Sequence, residues 1–356
     1  MRGLPPSFSR RQAFVPLAAA PLAAAVLPRS VVAGPAHAAP LVPQLPDHYD
    51  TPLGIGLESW PYPAHVSLRP CAVGNETARM AYMDIAPTAK PRNKAVVLLH
   101  GKNFDSSYWA GPIADLTGAG FRVIVPDQIG FNKSAKPDVP YSFDMLARHT
   151  LDLLGGLQIR QASFIGHSTG GMLAVRIAAA FPGSVDKLIL EDPIGLVDYR
   201  RFIPPQTNET LVAAEHRMTA QSYRAFLRNL MPALPPAKME PFVEWRMRVA
   251  LSGEYDRFCK ASALVYQMIY REPVRDEYDD IRAPTLMIVG EKDASAPLRN
   301  YGSPDKIAKM PSIPAAAPDA VKDLRDGKLV TIPDVGHVPH LEAPDAFRTA
   351  VLGFLA

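Results

Sequence analysis

The sequence predicts an α/β fold, in which helices cover both faces of a mostly parallel sheet and a helical segment is inserted near the middle of the chain. Short apolar runs alternate with segments of helical periodicity, which is typical of a parallel sheet. The alternation stops after Asp192 and resumes at Pro284, and the residues between them show helical patterns without a convincing strand. An apolar content of 47% in 356 residues allows a large core and excludes global disorder.

Six strands and six helices can be placed from these patterns. Each predicted strand is a short apolar run, and each predicted helix has apolar residues at helical spacing. The strands are predicted at 94–99, 121–125, 162–165, 187–190, 284–289 and 328–332. The helices are predicted at 106–117, 143–157, 169–181, 220–231, 240–251 and 343–355.

The composition and the alternation of strand and helix patterns divide the chain into four parts. We predict a signal peptide over 1–38, followed by a proline-rich arm over 39–63 that lies on the domain. The core then covers 64–193 and 282–356, and the helical insertion covers 194–281. An insertion of about 90 residues that follows a strand is well placed to cover the carboxyl edge of the sheet as a cap.

The first 38 residues have the three parts of a secretory signal. Arg2, Arg10 and Arg11 form a positive start, residues 13–27 form an alanine-rich apolar run, and an A-x-A cleavage motif ends at Ala38. The adjacent arginines favour twin-arginine export, and an ordinary secretory signal is the alternative. We therefore expect a periplasmic or secreted protein. No later apolar stretch is long enough for a membrane span, so we expect none in the mature chain.

The charge of the chain argues against a nucleic-acid partner. The formal net charge is +3, but the predicted signal holds four arginines and no acidic residue. Without the signal, the chain has 34 Lys and Arg residues and 35 Asp and Glu residues, which gives no general basic surface.

Cys71 and Cys259 are the two cysteines of the sequence, and the sequence leaves open whether they pair or stay free thiols.

The strongest motif is Gly166-His167-Ser168-Thr169-Gly170. It follows a predicted strand and precedes a predicted helix, which is the context that a G-x-S-x-G nucleophile elbow requires. Its glycines let the turn tighten until the Ser168 hydroxyl projects above the sheet, in front of the N-terminus of the next helix. We therefore predict that Ser168 is a catalytic nucleophile.

A serine nucleophile needs a base, and the candidate is His337. This residue lies in the loop just past the predicted strand 328–332, which brings it to the edge of the sheet where the serine lies. His340 is the competing histidine, but its place at the start of the last helix favours a capping or surface role. His100 and His167 lie inside motifs and can be given packing roles.

The base needs a carboxylate to orient it, and Asp293 is favoured. Asp293 lies in the loop after the predicted strand 284–289. Glu291 in the same loop is an alternative. Glu191 and Asp192, which follow the strand before the insertion, are alternatives as well.

Acyl transfer also needs N–H donors for the developing oxyanion. Gly101 lets the backbone turn after the strand 94–99, so the N–H of Lys102 can point into the site. The N–H of Thr169, directly after the nucleophile, supplies the second donor. The alternative for His100 and Gly101 is a turn that only ends the strand.

Together these motifs resemble those of the α/β-hydrolase fold proteins with a helical cap, over roughly residues 60–356. The resemblance implies an eight-stranded, mostly parallel sheet with the cap inserted between strands 6 and 7, and it matches the family's chain order of serine, aspartate and histidine. The chain is similar to the branch that holds epoxide hydrolases, haloalkane dehalogenases, haloperoxidases and simple esterases. The resemblance rests on residues 100–103, 127–134, 166–171, 290–293 and 336–337.

Two residues depart from the pattern of that branch. Asn132 stands where the motif D-x-x-G-x-G-x-S has its second glycine, and asparagine also tolerates a left-handed backbone. Ser168 stands where dehalogenases and epoxide hydrolases have an aspartate nucleophile. Both of those activities are therefore disfavoured.

The residues and the resemblance predict an exported serine hydrolase that acts through an acyl-enzyme, on carboxylic esters or lactones. Carbon–carbon bond hydrolysis, perhydrolysis and peptidase action use similar triads and stay open. A non-catalytic ligand-binding protein on the same fold is the alternative from another class. The sequence contains no dinucleotide fingerprint, P-loop or zinc set, so we expect a small-molecule acyl substrate, no cofactor and no metal. It does not indicate an oligomeric state.

Overall fold

The computed structural model describes residue 46 and residues 48–356, so the predicted signal peptide and the start of the arm lie outside the described residues. Eight strands of the described chain form one sheet. The strands are β1 (Val66–Val73), β2 (Glu76–Ile85), β3 (Ala95–Leu99), β4 (Arg122–Pro126), β5 (Ala162–His167), β6 (Val185–Glu191), β7 (Thr285–Gly290) and β8 (Gly327–Ile332).

The strand order is β1-β2-β4-β3-β5-β6-β7-β8. β2 runs antiparallel to β1 and β4, whereas β3 to β8 are all parallel. β3, β5 and β7 are buried along their whole length, which explains why they are apolar runs without alternation. The predicted fold class, an eight-stranded and mostly parallel sheet, is confirmed. The six predicted strands match β3 to β8 to within two residues at each end.

Helices cover both faces of the sheet. Val97 and Leu99 of β3 face the first layer, and Val96 and Leu98 face the second, because successive side chains of a strand alternate. The helices are α1 (Ala110–Gly118), α2 (Phe143–Gly156), α3 (Thr169–Ala180), α4 (Asn208–His216), α5 (Ala220–Leu230), α6 (Pro236–Val249), α7 (Tyr255–Arg271), α8 (Pro304–Ile307), α9 (Ile313–Lys322), α10 (Pro339–Glu342) and α11 (Pro344–Leu355). The first layer contains α2, α3 and α9, and the second contains α1 and α11.

Four helices, α4 to α7, form the insertion between β6 and β7, which is the predicted place of the cap. α4 packs against α7, and α5 packs against α6. α6 begins four residues before the predicted helix, since Pro236 occupies its first turn, where the missing N–H costs nothing. The bounds predicted for the domains stay predictions.

The described part of the arm contacts both the cap and the core. Leu53 is buried against Trp245 of α6, and its N–H donates to the carbonyl of Arg248 at 3.0 Å. Further along, the ammonium group of Lys133 donates to the carbonyl of Trp60 at 2.9 Å. The arm therefore ties α6 to the loop after β4.

The register of the parallel strands brings their carboxyl ends to one edge. Leu99 of β3 pairs with Gly166 of β5, and His167 pairs with Glu191 of β6. β7 and β8 also end in register with each other. The loops that carry the predicted site residues therefore leave the sheet side by side.

Two further expectations concern the membrane and the cysteines. Among the described residues, no helix combines the length and apolarity that a membrane span would need. Cys71 is half-buried in β1 and Cys259 is buried in α7, and both are free thiols. The open question of a disulfide is thus answered in favour of two separate thiols.

Candidate active site

Ser168 occupies the sharp turn between β5 and α3. Its φ of 55° and ψ of −117° lie outside the regions that L-residues favour. A Cβ at Gly166 would lie 2.4 Å from the Gly170 carbonyl oxygen, and a Cβ at Gly170 would lie 2.1 Å from that of Leu99. Both positions therefore require glycine, and the turn they permit places Ser168 in the lining of a cavity.

His337 contacts the hydroxyl of this serine. Its Nε2 lies 2.9 Å from Ser168 Oγ. The backbone N–H of His337 donates to the carbonyl of Leu230, the last residue of α5, at 2.7 Å. Because this bond links the histidine loop to the cap, the cap helps to fix where the imidazole lies.

Asp293 contacts the other side of the imidazole. Its Oδ2 lies 2.7 Å from His337 Nδ1, and its Oδ1 accepts the N–H of Ser295 at 2.8 Å. A carboxylate only accepts, so Nδ1 carries the proton and Nε2 is free to take one from Ser168. Burial on its own would raise the pKa of Asp293, but the charge of His337 and hydrogen bonds to the carboxylate outweigh it and hold that pKa below its usual range.

Two of the alternative carboxylates are bonded elsewhere. Glu191 accepts the His340 Nδ1–H at 2.8 Å and also its backbone N–H at 2.8 Å. Glu291 is exposed and accepts the N–H of Asp334 at 3.1 Å. The expectation of a capping or surface role for His340 is wrong, because its ring is buried and stacks on Trp109 at 4.3 Å.

Asp192, the third alternative, lies behind Asp293. Its carboxyl accepts the N–H of Gly290 at 3.1 Å and is hydrogen-bonded to Asp293. Burial, followed by the charge of Asp293, raises the pKa of Asp192 well above its usual range. The raised pKa favours a protonated Asp192, whose carboxyl can donate to Asp293. Asp192, Asp293 and His337 also offer possible metal-ligand atoms that lie within 4.8 Å of one another, and they are the one such group among the described residues. These atoms already take part in the hydrogen bonds described above.

His167 connects the histidine loop to the turn after β3. Its Nε2 lies 2.8 Å from the carbonyl oxygen of His337, and its Nδ1 lies 3.1 Å from the hydroxyl of Tyr108. That hydroxyl accepts the N–H of Gly101 at 2.9 Å. Burial, and then the neighbouring histidines, lower the pKa of His167 well below its usual value, so the ring is neutral and donates from Nε2. Sequence reasoning gave His167 only a packing role.

The predicted oxyanion donors, Lys102 and Thr169, line the same cavity as Ser168. Thr169 is the first residue of α3, where the backbone N–H has no partner within the helix. The N–H of Lys102 likewise has no backbone acceptor in the described chain. Neither amide thus has a backbone acceptor in the described chain, and their role as oxyanion donors stays a prediction.

The cavity has a volume of about 1610 Å³ and lies between the strand ends and the cap. Several aromatic side chains of the cap line this cavity. Those that face it are Tyr223, Phe226, Trp245, Phe258 and Tyr266. Sequence reasoning missed the buried charged groups of the lining, which no local motif marks.

Comparisons with known proteins identify the family of the chain. The model of the alpha/beta hydrolase family matches residues 96–350. The crystal structure of a probable hydrolytic enzyme from Pseudomonas aeruginosa has a TM-score of 0.83 and 33% identity, over 86% of this chain and 99% of that one. The AB hydrolase superfamily protein YfhM of Bacillus subtilis is 35% identical over 288 residues, which cover 77% of this chain and 94% of the relative.

Other relatives match less completely or at lower identity. An uncharacterized protein of Mycobacterium tuberculosis is 42% identical over 96 residues, so the chain spans only 28% of the length of that relative. The 2-hydroxy-6-oxo-6-phenylhexa-2,4-dienoate hydrolase of Burkholderia cepacia is 26% identical over 74% of this chain and 88% of the relative. Since the family model matches most of the chain, and a relative above 30% identity matches along nearly its whole length, this protein belongs to the alpha/beta hydrolase family.

Proposed function

We propose that this protein is a serine hydrolase that cleaves carboxylic esters or lactones through an acyl-enzyme. The observation that carries the proposal is the continuous hydrogen-bonded line from Ser168 Oγ through His337 to Asp293, with distances of 2.9 and 2.7 Å. A nucleophile, a base and an orienting carboxylate in this arrangement are the parts of a catalytic triad.

The first half of the reaction acylates the serine. Ser168 Oγ attacks the carbonyl carbon while His337 Nε2 takes the hydroxyl proton. The N–H groups of Lys102 and Thr169 receive the negative charge that develops on the carbonyl oxygen. The C–O bond to the alcohol then breaks, and the alkoxide leaves with the proton from His337.

The second half releases the acid. A water molecule attacks the acyl carbon, His337 takes its proton, and Ser168 leaves with that proton restored. Asp293 holds the imidazole in the same tautomer throughout and stabilises its charged form. Each step uses groups of the chain, so the scheme calls for no cofactor and no metal ion.

Carbon–carbon bond hydrolysis is the second candidate, because the Burkholderia cepacia relative is named for the hydrolysis of a dienoate. The same serine and histidine would act in it, so the two activities have to be distinguished by which substrates the protein cleaves. The non-catalytic alternative is disfavoured, because Ser168, His337 and Asp293 each keep the hydrogen bond that catalysis needs.

A panel of 4-nitrophenyl esters and lactones of increasing acyl length tests the proposal. We expect hydrolysis by the purified mature protein, with the highest kcat/KM beyond acetyl, because the cavity of about 1610 Å³ holds more than two carbons. Ser168→Ala, purified in parallel, sets the background. If every ester and lactone is hydrolysed no faster than this background while a dienoate is cleaved rapidly, ester hydrolysis is contradicted and carbon–carbon bond hydrolysis is supported.

We further propose that the protein is exported through the twin-arginine route and cleaved near Ala38, which makes it periplasmic or secreted. Replacing Arg10 and Arg11 by lysine keeps the positive charge that an ordinary secretory signal uses but removes the arginine pair. We expect the doubly substituted precursor to stay uncleaved in the cytoplasm, as seen on immunoblots of cell fractions. Undiminished export of this variant would contradict the twin-arginine route.

A further inference from the structure

A second polar cluster lies in the cavity, between the turn after β3 and the cap. Lys102 reaches from the core, and Glu215 of α4, Arg246 of α6 and Ser262 of α7 meet it from the cap. Lys102 Nζ lies 2.7 Å from Ser262 Oγ, 3.5 Å from Glu215 Oε1 and 3.8 Å from the centre of the Tyr266 ring. The cluster therefore joins the turn that carries a proposed oxyanion donor to three helices of the cap.

The cluster is short of negative charge. Glu215 pairs with the guanidinium of Arg246 and also with Lys102, and the three side chains are 6–10% exposed. Burial on its own would raise the pKa of Glu215, but Arg246 and Lys102 hold it at about 2, so this carboxylate is ionised. Burial lowers the pKa of Lys102 although Glu215 opposes it. One carboxylate thus serves two buried cations.

The other charged residues that line the cavity do not offset this excess of positive charge. The protein without its predicted signal is close to neutral, yet cations outnumber carboxylates around this cavity. Its acidic residues are Glu215 and Asp334. Its basic residues are the largely buried Lys102 and Arg246 and the exposed Arg217, Arg228, Lys292 and Arg299, of which Lys292 also pairs with Glu291 and Asp334. A cleft lined mostly by charge of one sign concentrates ligands of the opposite sign.

We propose that Lys102 and Arg246 bind a carboxylate on the substrate, so that the substrate class is an ester or lactone that also bears a carboxylate. The inference rests on the proposed function, because it identifies the substrate of the same site. A guanidinium has five N–H donors, and within the described part of the chain Arg246 donates only to Glu215 and the Tyr255 hydroxyl. A bound carboxylate would accept from the remaining donors and supply the missing charge.

Matched pairs of esters test the substrate class. In the first pair the acyl chain ends in a carboxylate or in its uncharged amide, as in 4-nitrophenyl 5-carboxypentanoate and 4-nitrophenyl 5-carbamoylpentanoate. In the second pair the same two groups are on the alcohol, as in 4-carboxyphenyl and 4-carbamoylphenyl hexanoate. We expect kcat/KM to favour the carboxylate by about tenfold or more in at least one pair, since hydrogen bonds to charged groups are the stronger ones. Ratios near one or below in both pairs would overturn the inference.

Variants of the cluster should move this ratio in opposite directions. Lys102→Met removes a cation and is expected to bring the ratio close to one, whereas Glu215→Gln removes the competing carboxylate and is expected to raise it. Lys238→Met is the matched control, because Lys238 is an exposed cap residue that does not line the cavity. The readout is the ratio, whatever the absolute rates, and a thermal melt checks each fold. If Lys102→Met does not fold, the inference is tested by the ratio of the wild type and by the change of that ratio in Glu215→Gln.

Binding to Ser168→Ala separates this inference from the proposed function. Titration calorimetry measures the affinity of each ester for this variant without turnover. Tighter binding of the carboxylate ester, with no hydrolysis of any ester by the wild type, would support the anion site and contradict the hydrolase. Hydrolysis of the uncharged esters, with equal binding of the charged and uncharged members of each pair, would support the hydrolase and contradict the anion site.

Discussion

Replacing Ser168 by alanine is expected to lower kcat by a factor on the order of 10⁶, the loss seen when a triad serine is removed. The variant loses the attacking oxygen, whereas the turn that holds it depends on Gly166 and Gly170. We therefore expect a melting temperature close to that of the wild type. The measurement is steady-state hydrolysis of the best ester of the panel. Retention of more than about 1% of kcat would mean that another group is the nucleophile.

Replacing Asp293 by asparagine is expected to lower kcat by about 10⁴-fold. The side-chain amide can donate to His337 Nδ1, which then gives up its proton and leaves Nε2 protonated. In that tautomer the imidazole cannot take the proton of Ser168. Steady-state kinetics on the same ester, with the fold checked by thermal melting, gives the size of the loss.

Asp192→Asn and Glu191→Gln are the matched controls for that experiment. The raised pKa of Asp192 favours a carboxyl that donates to Asp293, so an amide of the same shape can keep both of its hydrogen bonds. Glu191 contacts His340 rather than the base. We expect both variants to keep activity within about tenfold of the wild type, because each substitution changes at most a hydrogen bond outside the triad. Near-native activity of Asp293→Asn beside a folded but crippled Asp192→Asn would move the acid to Asp192.

The sequence was sufficient to predict the parallel sheet and the loops that carry the candidate triad. Strands buried on both faces must be apolar along their length, so β3, β5 and β7 stand out as short runs between helical segments. The carboxyl ends of parallel strands meet at one edge, and Ser168, Asp293 and His337 each follow a strand. Local pattern and topology together therefore predicted their proximity.

Contacts between distant residues could not be predicted in this way. His340 and Glu191 are 149 positions apart, and Lys102 and Ser262 are 160 positions apart. Nothing in the local sequence around any of them marks its partner. The start of α6 was misplaced as well, since the helix already includes Pro236 in its first turn, where a proline is tolerated.

Labelling by a fluorophosphonate shows directly whether Ser168 is an activated nucleophile, since the probe reacts with an activated serine hydroxyl and forms a stable adduct. We expect one adduct for each molecule of mature wild-type protein, located by peptide mass spectrometry on Ser168. We expect much slower labelling of Asp293→Asn and none of Ser168→Ala. An unlabelled wild-type protein with a native melting transition, or an adduct on another residue, would contradict the assignment of Ser168 as the nucleophile.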